Sequence, residues 1–203
     1  MRAASEGPAA DRPSPTDEEL MIRYREGDAD AFPVIVRRYK DRLTSAVMRL
    51  VLDRDKAEDI VQETFLRVHK NAARYKTIAR FSTWIYTIAL NMAKNEIRNT
   101  RRRKTSSLWD IGLDRDGEPT AYEIPDEADR PDDVVERRDL RGLMERCIAQ
   151  LPPKYRTIIV LRDVEGLSYE EIAQILKLPE GTVKSRMNRA RLRFKELLEP
   201  LLS

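Results

Sequence analysis

The chain is poor in the residues that build disulfides, zinc centres and histidine-based active sites. Its 203 residues include one cysteine, Cys147, and one histidine, His69. A single cysteine forms no internal disulfide, and this pair falls short of the four ligands of a structural zinc site. One histidine also leaves little basis for a catalytic triad. We therefore expect no metal and no other cofactor.

Long apolar runs and glycine are also scarce. No stretch approaches the roughly 18 apolar residues of a membrane helix, and residues 1–15 lack the apolar core of a signal peptide. We expect a cytosolic protein with no membrane insertion. Seven Gly and eleven Pro leave little material for a turn-rich architecture, whereas charged residues make up 36% of the chain. The composition therefore favours helices.

The net charge of +3 hides an uneven distribution. Residues 105–139 hold twelve Asp and Glu against four Lys and Arg, a net charge of −8, so the remainder of the chain carries +11. This segregation suggests two basic modules joined by an acidic connector, and basic modules most often bind nucleic acid. The same charges would also suit a solvated helical protein with a disordered tether, so charge alone does not decide the function.

Apolar residues at three- and four-residue steps predict four helices in the N-terminal half, at about 17–26, 30–53, 55–70 and 82–104. Thr16 is expected to cap the first helix, and Asp55 with Glu58 to form a capping box at the third. Ser82 or Thr83 is expected to cap the fourth. We expect a disordered tail over residues 1–15 and a compact four-helix domain over residues 16–104.

Glycine, proline and acidic residues interrupt residues 105–132, which we interpret as a flexible linker. A second helical domain is predicted over residues 133–203. Pro152 and Pro153 break its first helical run, and Ser168 with Glu171 gives another capping box.

The end of the chain has the pattern of a helix-turn-helix: a short helix after Ser168, a break at 178–181, and a basic helix at about 182–198. The early residues of the second helix that share one outward face are Lys184, Ser185, Asn188 and Arg189. Arg and Lys suit the acceptors of guanine, and Asn suits adenine. The cations better placed for phosphates are Arg186, Arg191, Arg193 and Lys195. Backbone amides near Thr182 are expected to add phosphate contacts. The competing interpretation is a solvated basic face on a protein-binding helical hairpin.

Three segments carry a resemblance to a known family. The run LSYEEIAQILKLPEGTVKSRMNRARLRF resembles the region 4 helix-turn-helix of bacterial RNA polymerase sigma factors of the extracytoplasmic-function type. AEDIVQETFLRVHKN resembles region 2.2 of that family, and FSTWIYTIALNMAKNEIRNTRRR resembles its promoter-melting and minus-10-reading regions. Lys177 departs from the family, which often has Gly in this turn; a left-handed Lys costs roughly 1 kcal/mol more than Gly.

The resemblance implies an all-α protein with two small domains, region 2 at 16–104 and region 4 at 133–203, joined by the flexible acidic linker. Such a protein directs core RNA polymerase to promoters, assists their melting and leaves the chemistry to the polymerase. Region 4 would read minus-35 DNA through Thr182, Lys184, Ser185, Arg186, Asn188, Arg189, Arg191 and Arg193. Region 2 would read minus-10 DNA through Phe81, Ser82, Thr83, Trp84, Tyr86, Asn91, Lys94, Asn95 and Arg98.

Residue chemistry is consistent with these roles but leaves alternatives open. Aromatic rings and hydroxyl groups can pocket unpaired bases, and the resemblance places Asn91 in the pocket for a flipped base. Trp84 and Tyr86 could instead be ordinary core residues. The cations Arg101, Arg102, Arg103 and Lys104 are expected to hold phosphates.

The resemblance also implies contacts with core polymerase. The clamp helices of the largest subunit would be bound by Asp55, Asp59, Gln62, Glu63, Phe65 and Leu66. The flap of the second-largest polymerase subunit would also contact this protein. Asp59, Gln62 and Glu63 share one helical surface and could meet a basic partner, although acidic helix faces are usually only solvated. An anti-sigma factor is a further expected partner. The protein itself is expected in the cytoplasm, and at the nucleoid when it is bound to polymerase. The anti-sigma factor could instead hold it at the membrane.

Two other classes of function stay open. A conventional helix-turn-helix regulator would bind duplex DNA tightly without polymerase. The two DNA-binding domains of a sigma factor, by contrast, bind weakly until polymerase sets the distance between them. An enzyme such as a nuclease is disfavoured because Asp59 and Glu63 lack a second cluster of metal ligands. The sequence does not identify the promoter, the inducing signal, the anti-sigma factor or the path of the linker.

Overall fold

The computed structural model describes residues 14–76, 79–107 and 134–202. Within these ranges the regular elements are all helical, which confirms the predicted fold class. The eight α-helices are α1 (Asp17–Arg25), α2 (Ala31–Val51), α3 (Arg54–Lys70), α4 (Phe81–Ser107), α5 (Val134–Gln150), α6 (Pro153–Ile159), α7 (Tyr169–Leu176) and α8 (Glu180–Leu202). A 3₁₀ turn, Ala72–Arg74, follows α3, and a π-helical segment, Val160–Val164, continues α6. Residues 1–13 of the predicted tail and residues 108–133, which include most of the predicted linker, lie outside the described residues.

The predicted caps at Thr16 and Ser168 both form, Ser168 as the predicted capping box and Thr16 as a capping box that was not predicted. In each, the hydroxyl accepts the amide of the third helical residue, and that residue's glutamate accepts the amide of the cap. Glu19 is the partner of Thr16, and Glu171 is the partner of Ser168. Acidic residues in both first turns further favour these helix starts, because the N-terminal end of a helix is electropositive.

The starts of α3 and α4 differ from the prediction. Asp53 caps α3 by accepting the amide of Lys56 at 3.1 Å, so the expected Asp55 and Glu58 box is wrong. Helix α4 begins at Phe81, before the predicted caps Ser82 and Thr83. The amide of Phe81 donates to the Glu18 carboxylate at 2.7 Å. A side chain 63 positions away therefore takes the place of a local cap.

Lys177 has a left-handed backbone, with φ of 55°. It ends α7, and its amide donates to the carbonyl of Gln174 at 3.3 Å. Glycine adopts positive φ without a steric penalty, so Lys177 carries the cost that was expected for a left-handed residue in this turn.

Helices α1 to α4 form an N-terminal domain, and helices α5 to α8 form a C-terminal domain. Apolar stripes of α2, α3 and α4 meet in the first, while α8 packs against α5, α6 and α7 in the second. The two domains also touch: α7 packs on α4, and α2 contacts α5, α6 and the π-helical segment. Buried residues from both domains consequently join one hydrophobic core. Among the described residues, no helix combines the length and apolar character needed to cross a membrane.

Candidate nucleic-acid interfaces and the α2–α3 groove

Helix α8 presents a polar face in its first half, backed by a fully buried apolar face. Val183, Met187 and Ala190 are buried against the rest of the C-terminal domain. On the opposite side the structure exposes all four predicted base-reading side chains, Lys184, Ser185, Asn188 and Arg189. The apolar anchor therefore decides which side of α8 faces outward. Of the remaining predicted contacts, Arg191 and Arg193 are exposed, and Thr182 and Arg186 are half-buried.

Several of these side chains have partners within the protein. Lys184 pairs with Glu180 at 2.6 Å, and this hydrogen-bonded carboxylate raises the pKa of Lys184. Arg191 pairs with Asp163 at 2.7 Å, and the hydroxyl of Ser185 donates to the carbonyl of Thr182 at 3.0 Å. These contacts lie at the surface, where an ion pair contributes little and exchanges readily for a phosphate.

The first turn of α8 uses amides that we expected to be available for phosphate. The amides of Thr182 and Val183 both donate to the carbonyl of Pro179, at 2.9 and 3.1 Å. These two amides are therefore satisfied within the protein. Phosphate contacts by amides near Thr182 stay a prediction.

Helix α4 divides into an exposed half and a buried half. The predicted minus-10 residues Asn91, Lys94, Asn95 and Arg98 are all exposed, and Arg98 donates to the Asn95 side chain at 3.4 Å. The helix continues through 101–104 to Ser107.

The aromatic start of α4 lies inside the protein. Phe81 is fully buried, with edge-to-face contacts to Tyr39 and Tyr75 at ring-centroid distances of 5.3 and 5.8 Å. Trp84 is half-buried beside Tyr75, at 5.0 Å between centroids. This cluster favours a packing role for Phe81. The DNA-binding role assigned to these rings stays a prediction.

Three hydroxyl residues at the start of α4 have different environments. Thr83 is buried, and its hydroxyl oxygen has no hydrogen-bond partner. Ser82 is half-buried and donates to Glu171 at 3.4 Å, whereas the buried Tyr86 donates to Glu165. Both glutamates belong to the C-terminal domain. The predicted minus-10 residues are thus brought onto one helix, but Ser82 and Tyr86 are engaged by the other domain.

A groove of about 860 Å³ runs between α2 and α3. Gln62, Phe65 and Leu66, three of the six residues predicted to bind polymerase, line it. Leu66 is 45% exposed, and it lines the groove together with the apolar Phe32, Val36 and Phe65. Polar and charged side chains complete the lining.

The acidic members of the predicted polymerase surface lie outside the groove. Asp55 and Asp59 are exposed on α3 and do not line it. Glu63 pairs with Arg67 at 2.8 Å, and this guanidinium lowers the pKa of Glu63. These acidic residues therefore lie beside the groove and not in it.

Phe32 and Val36 of α2 line the groove opposite α3, and the sequence analysis did not include them among the polymerase-binding residues. They belong to the apolar stripe that we assigned to the core. Both are only half-buried, whereas Ile35 and Tyr39 on the same stripe are buried. The apolar stripe of α2 thus extends beyond the residues that are buried in the core. This extra width is the sequence signal that could have identified Phe32 and Val36.

The described residues contain no group of three or more His, Cys, Asp or Glu side chains that could hold a metal ion. Glu63, Glu180 and Asp163 are instead paired with cations, and Glu18 accepts a backbone amide.

Two family models match the chain. The model of sigma-70 region 2 matches residues 35–103, and the model of sigma-70 region 4 matches residues 141–194. The first stretch includes most of the groove and of α4, and the second includes α7 and the larger part of α8.

Curated relatives match over almost the whole length. The RNA polymerase sigma-H factor of Pseudomonas aeruginosa is 34% identical over 190 residues, covering 92% of this chain and 95% of that protein. The ECF RNA polymerase sigma-E factor of Escherichia coli strain K12 is 36% identical over 187 residues, with coverage of 92% and 96%.

Solved structures share the fold. CnrH, in complex with the cytosolic domain of CnrY, aligns with a TM-score of 0.65 and 22% identity, over 91% of this chain and 97% of that chain. The sigma factor RpoE of Bartonella quintana, in complex with the anti-sigma factor NepR, aligns with a TM-score of 0.62 and 25% identity, over 83% and 96%.

Proposed function

The chain belongs to the extracytoplasmic-function group of sigma-70 factors, which are promoter-specificity subunits of RNA polymerase, and we propose how its residues divide that work. It directs core polymerase to promoters. The observation that carries the proposal is the exposed polar face of α8, backed by an apolar face that is fully buried. This anchoring holds Lys184 and Asn188 outward from the helix-turn-helix, as reading a major groove requires.

In the proposed division, the C-terminal domain over residues 133–203 reads the minus-35 duplex. Lys184, Ser185, Asn188 and Arg189 contact base edges. Arg191 and Arg193 contact phosphates further along the helix, which positions the domain without selecting sequence. Because phosphate contacts release counterions, promoter binding weakens steeply as salt rises.

The N-terminal domain over residues 16–104 captures melted minus-10 DNA. Asn91, Lys94, Asn95 and Arg98 form an exposed polar strip on α4 that suits an unpaired strand. Extruding a base costs a few kcal/mol, and contacts with this strip together with polymerase binding would offset it without ATP. We infer that the protein has no catalytic activity of its own.

Core polymerase is proposed to dock at the α2–α3 groove through its clamp helices, with its flap on the C-terminal domain. Gln62, Phe65 and Leu66 would be covered, while Asp55, Asp59 and Glu63 would flank the contact with their negative charge. The Bartonella quintana relative is complexed with an anti-sigma factor, and we propose a partner of that kind here. The protein would act in the cytoplasm, at the nucleoid with polymerase or held at the membrane by that partner.

Transcription by purified core polymerase on genomic DNA tests these assignments. New RNA starts that share two upstream elements are expected only when the protein is present. Asn91→Ala and Lys184→Ala should each reduce the number of these starts. The control variants are Asn99→Ala on α4 and Lys154→Ala on α6, which alter exposed residues outside the proposed contacts. They should leave the starts unchanged. Tight duplex binding by the protein alone, without core-dependent initiation, would favour a conventional regulator.

Polymerase binding needs a separate test. Leu66→Ser should weaken the complex with core polymerase, because a polar side chain cannot replace the apolar contact in the groove. Ile22→Ser is the matched control, since Ile22 is a similarly exposed apolar residue of α1 outside this groove. Equal binding by the two variants would remove the groove from the proposal.

A further inference from the structure

Two cations of the C-terminal domain contact the ring of one tyrosine. The guanidinium carbon of Arg162 lies 4.7 Å from the centroid of the Tyr169 ring, and Nζ of Lys184 lies 5.8 Å from it. Both distances fall within the roughly 6 Å over which a cation is attracted to the face of an aromatic ring. Tyr169 is the first residue of α7, and Lys184 is a predicted base-reading residue of α8. One helix of the helix-turn-helix therefore contacts a reading side chain of the other.

The Tyr169 ring is held in place by contacts within the C-terminal domain. It is half-buried and packs against the hydrophobic core. The capping box at Ser168 fixes the helix start directly before it. Arg162 is also half-buried, and its Nη1 donates to the carbonyl of Leu167 at 2.7 Å, in the loop that leads to α7. The ring is therefore a fixed surface beside the long, flexible side chain of Lys184.

Lys184 has a second partner, Glu180, which lies one turn earlier on α8. Nζ of Lys184 is 2.6 Å from the Glu180 carboxylate, and the two side chains are 56% and 43% exposed. An exposed ion pair contributes little, so a base or a phosphate can replace Glu180. An ammonium group has several N–H donors, and attraction to a ring uses its charge. The contact with Tyr169 can therefore persist while Lys184 donates to a base edge.

A fixed ring beside Lys184 has two consequences for DNA reading. A side chain that is already restricted loses less conformational freedom when it binds. Base pairs differ in where their acceptors lie in the major groove, so a donor with one preferred direction discriminates better than one that reaches several acceptors. The other predicted base-reading residues have no recorded contact of this kind with an aromatic ring.

We propose that Tyr169 is a positioning residue of the minus-35 reader, whose ring directs the Lys184 ammonium toward one base pair. The identity of the DNA element rests on the proposed function, whereas the contact between Tyr169 and Lys184 does not. Without the ring, Lys184 also reaches neighbouring acceptors and phosphates. Its preference for one base pair should then fall by roughly two- to fivefold, the range expected for an exposed cation–π contact.

NMR of the full chain with isotope-labelled lysine tests the contact without polymerase or DNA. Protons above an aromatic face are shielded, so the Cε protons of Lys184, assigned with Lys184→Arg, should lie upfield of their position in Tyr169→Leu. Tyr169→Phe keeps the ring and should keep the shift. Glu180→Gln should keep it as well, because the ring and not the carboxylate produces it.

Selection from a pool of duplexes with a randomised segment tests the effect on reading. The full chain is used alone and in complex with core polymerase, and sequencing gives the base preference at each position. Lys184→Ala should relax the preference at one base pair. Tyr169→Leu should lower it at the same base pair by roughly two- to fivefold, and Tyr169→Phe should retain it. In a Lys184→Ala background, Tyr169→Leu should relax no preference further.

Tyr155→Leu is the matched control. Tyr155 is a half-buried tyrosine of α6, and Nζ of Lys154 lies 5.0 Å from its ring centroid. Its removal should leave base preference unchanged, even if urea unfolding shows a loss of stability. Tyr169→Met, which also lacks a ring, takes the place of Tyr169→Leu if that variant does not fold.

Three results would overturn the proposal: no ring-dependent shift on Lys184, a uniform loss of binding to all duplexes in Tyr169→Leu, or a further change of preference when Lys184 is already alanine. Selection of the same duplexes with equal affinity in the absence of core polymerase, alongside the expected effects of Tyr169→Leu, would instead count against the proposed function alone.

Discussion

The hydroxyl of Ser168 accepts the amide of Glu171 at 3.1 Å, and the Glu171 carboxylate accepts the amide of Ser168 at 2.8 Å. This reciprocal pair starts the first helix of the helix-turn-helix. The same carboxylate also accepts a hydrogen bond from Ser82 of the N-terminal domain. One glutamate therefore links the local start of α7 to the contact between domains.

Removing the hydroxyl in Ser168→Ala is expected to lower the free energy of unfolding by about 1 kcal/mol, because the Glu171 amide loses its acceptor at the start of α7. Ser168→Thr keeps a hydroxyl in the same place and should retain most of the stability. Urea unfolding of the two variants and wild type measures the difference. Equal losses in both variants would show that the cap is not the cause.

Lys177→Gly is expected to raise the free energy of unfolding by roughly 0.5–1 kcal/mol, because Lys177 has a left-handed backbone that glycine adopts without strain. Lys177→Ala removes the same side-chain charge and keeps the strain, so it should give no such gain. Thermal melting of both variants separates the two effects. A gain in Lys177→Ala equal to that in Lys177→Gly would assign the cost to charge.

Arg156→Ala is expected to lower the free energy of unfolding by about 2–4 kcal/mol, because it removes a buried donor shared by several helix ends. Arg156 donates to the carbonyls of Leu50 at 3.1 Å, Ala149 at 2.5 Å and Leu151 at 3.0 Å. Arg156→Lys should recover only part of the loss, since an ammonium group cannot reproduce the planar fork. Full recovery in Arg156→Lys, measured by chemical denaturation, would contradict this account.

Alkaline pH is expected to destabilise the N-terminal domain through Tyr75. Burial, and then the charges of Glu18 and Asp17, raise the pKa of Tyr75 from 10.0 to about 12. Since the folded state holds this proton more tightly than the unfolded state, the stabilisation is complete below pH 10.0 and is lost as pH rises toward 12. Urea unfolding at about pH 9 and about pH 11 measures the loss. Tyr75→Phe, which has no proton to release, should lose less stability over this interval.

Glu180→Gln is expected to tighten duplex DNA binding by roughly two- to fivefold, because it frees Lys184 from its pair and removes a negative charge from the start of α8. Glu199→Gln makes the same change of charge near the other end of the helix, where Glu199 pairs with Lys195. Fluorescence anisotropy with a duplex carrying the mapped promoter compares them. An equal gain in both variants would indicate net charge rather than release of Lys184.

Local interactions account for what could be predicted from the residues alone. The caps at Thr16 and Ser168 depend on groups three positions apart, and the outward face of α8 follows from the spacing of Val183 and Met187. The left-handed turn at Lys177 was identified as a departure from a motif. Such features need no knowledge of distant segments, which is why helical content, the helix-turn-helix and the family followed from the sequence by itself.

The tertiary structure decided the features that depend on residues distant in the chain. Helix α4 starts at Phe81 because Glu18 of α1 accepts its amide, and no residue next to Phe81 signals this. Phe32 lines the groove because the packing of α2 against α3 brings it beside Phe65 and His69. Glu165 and Tyr86 meet because the domains dock, bringing together groups 79 positions apart that neither local spacing nor composition relates.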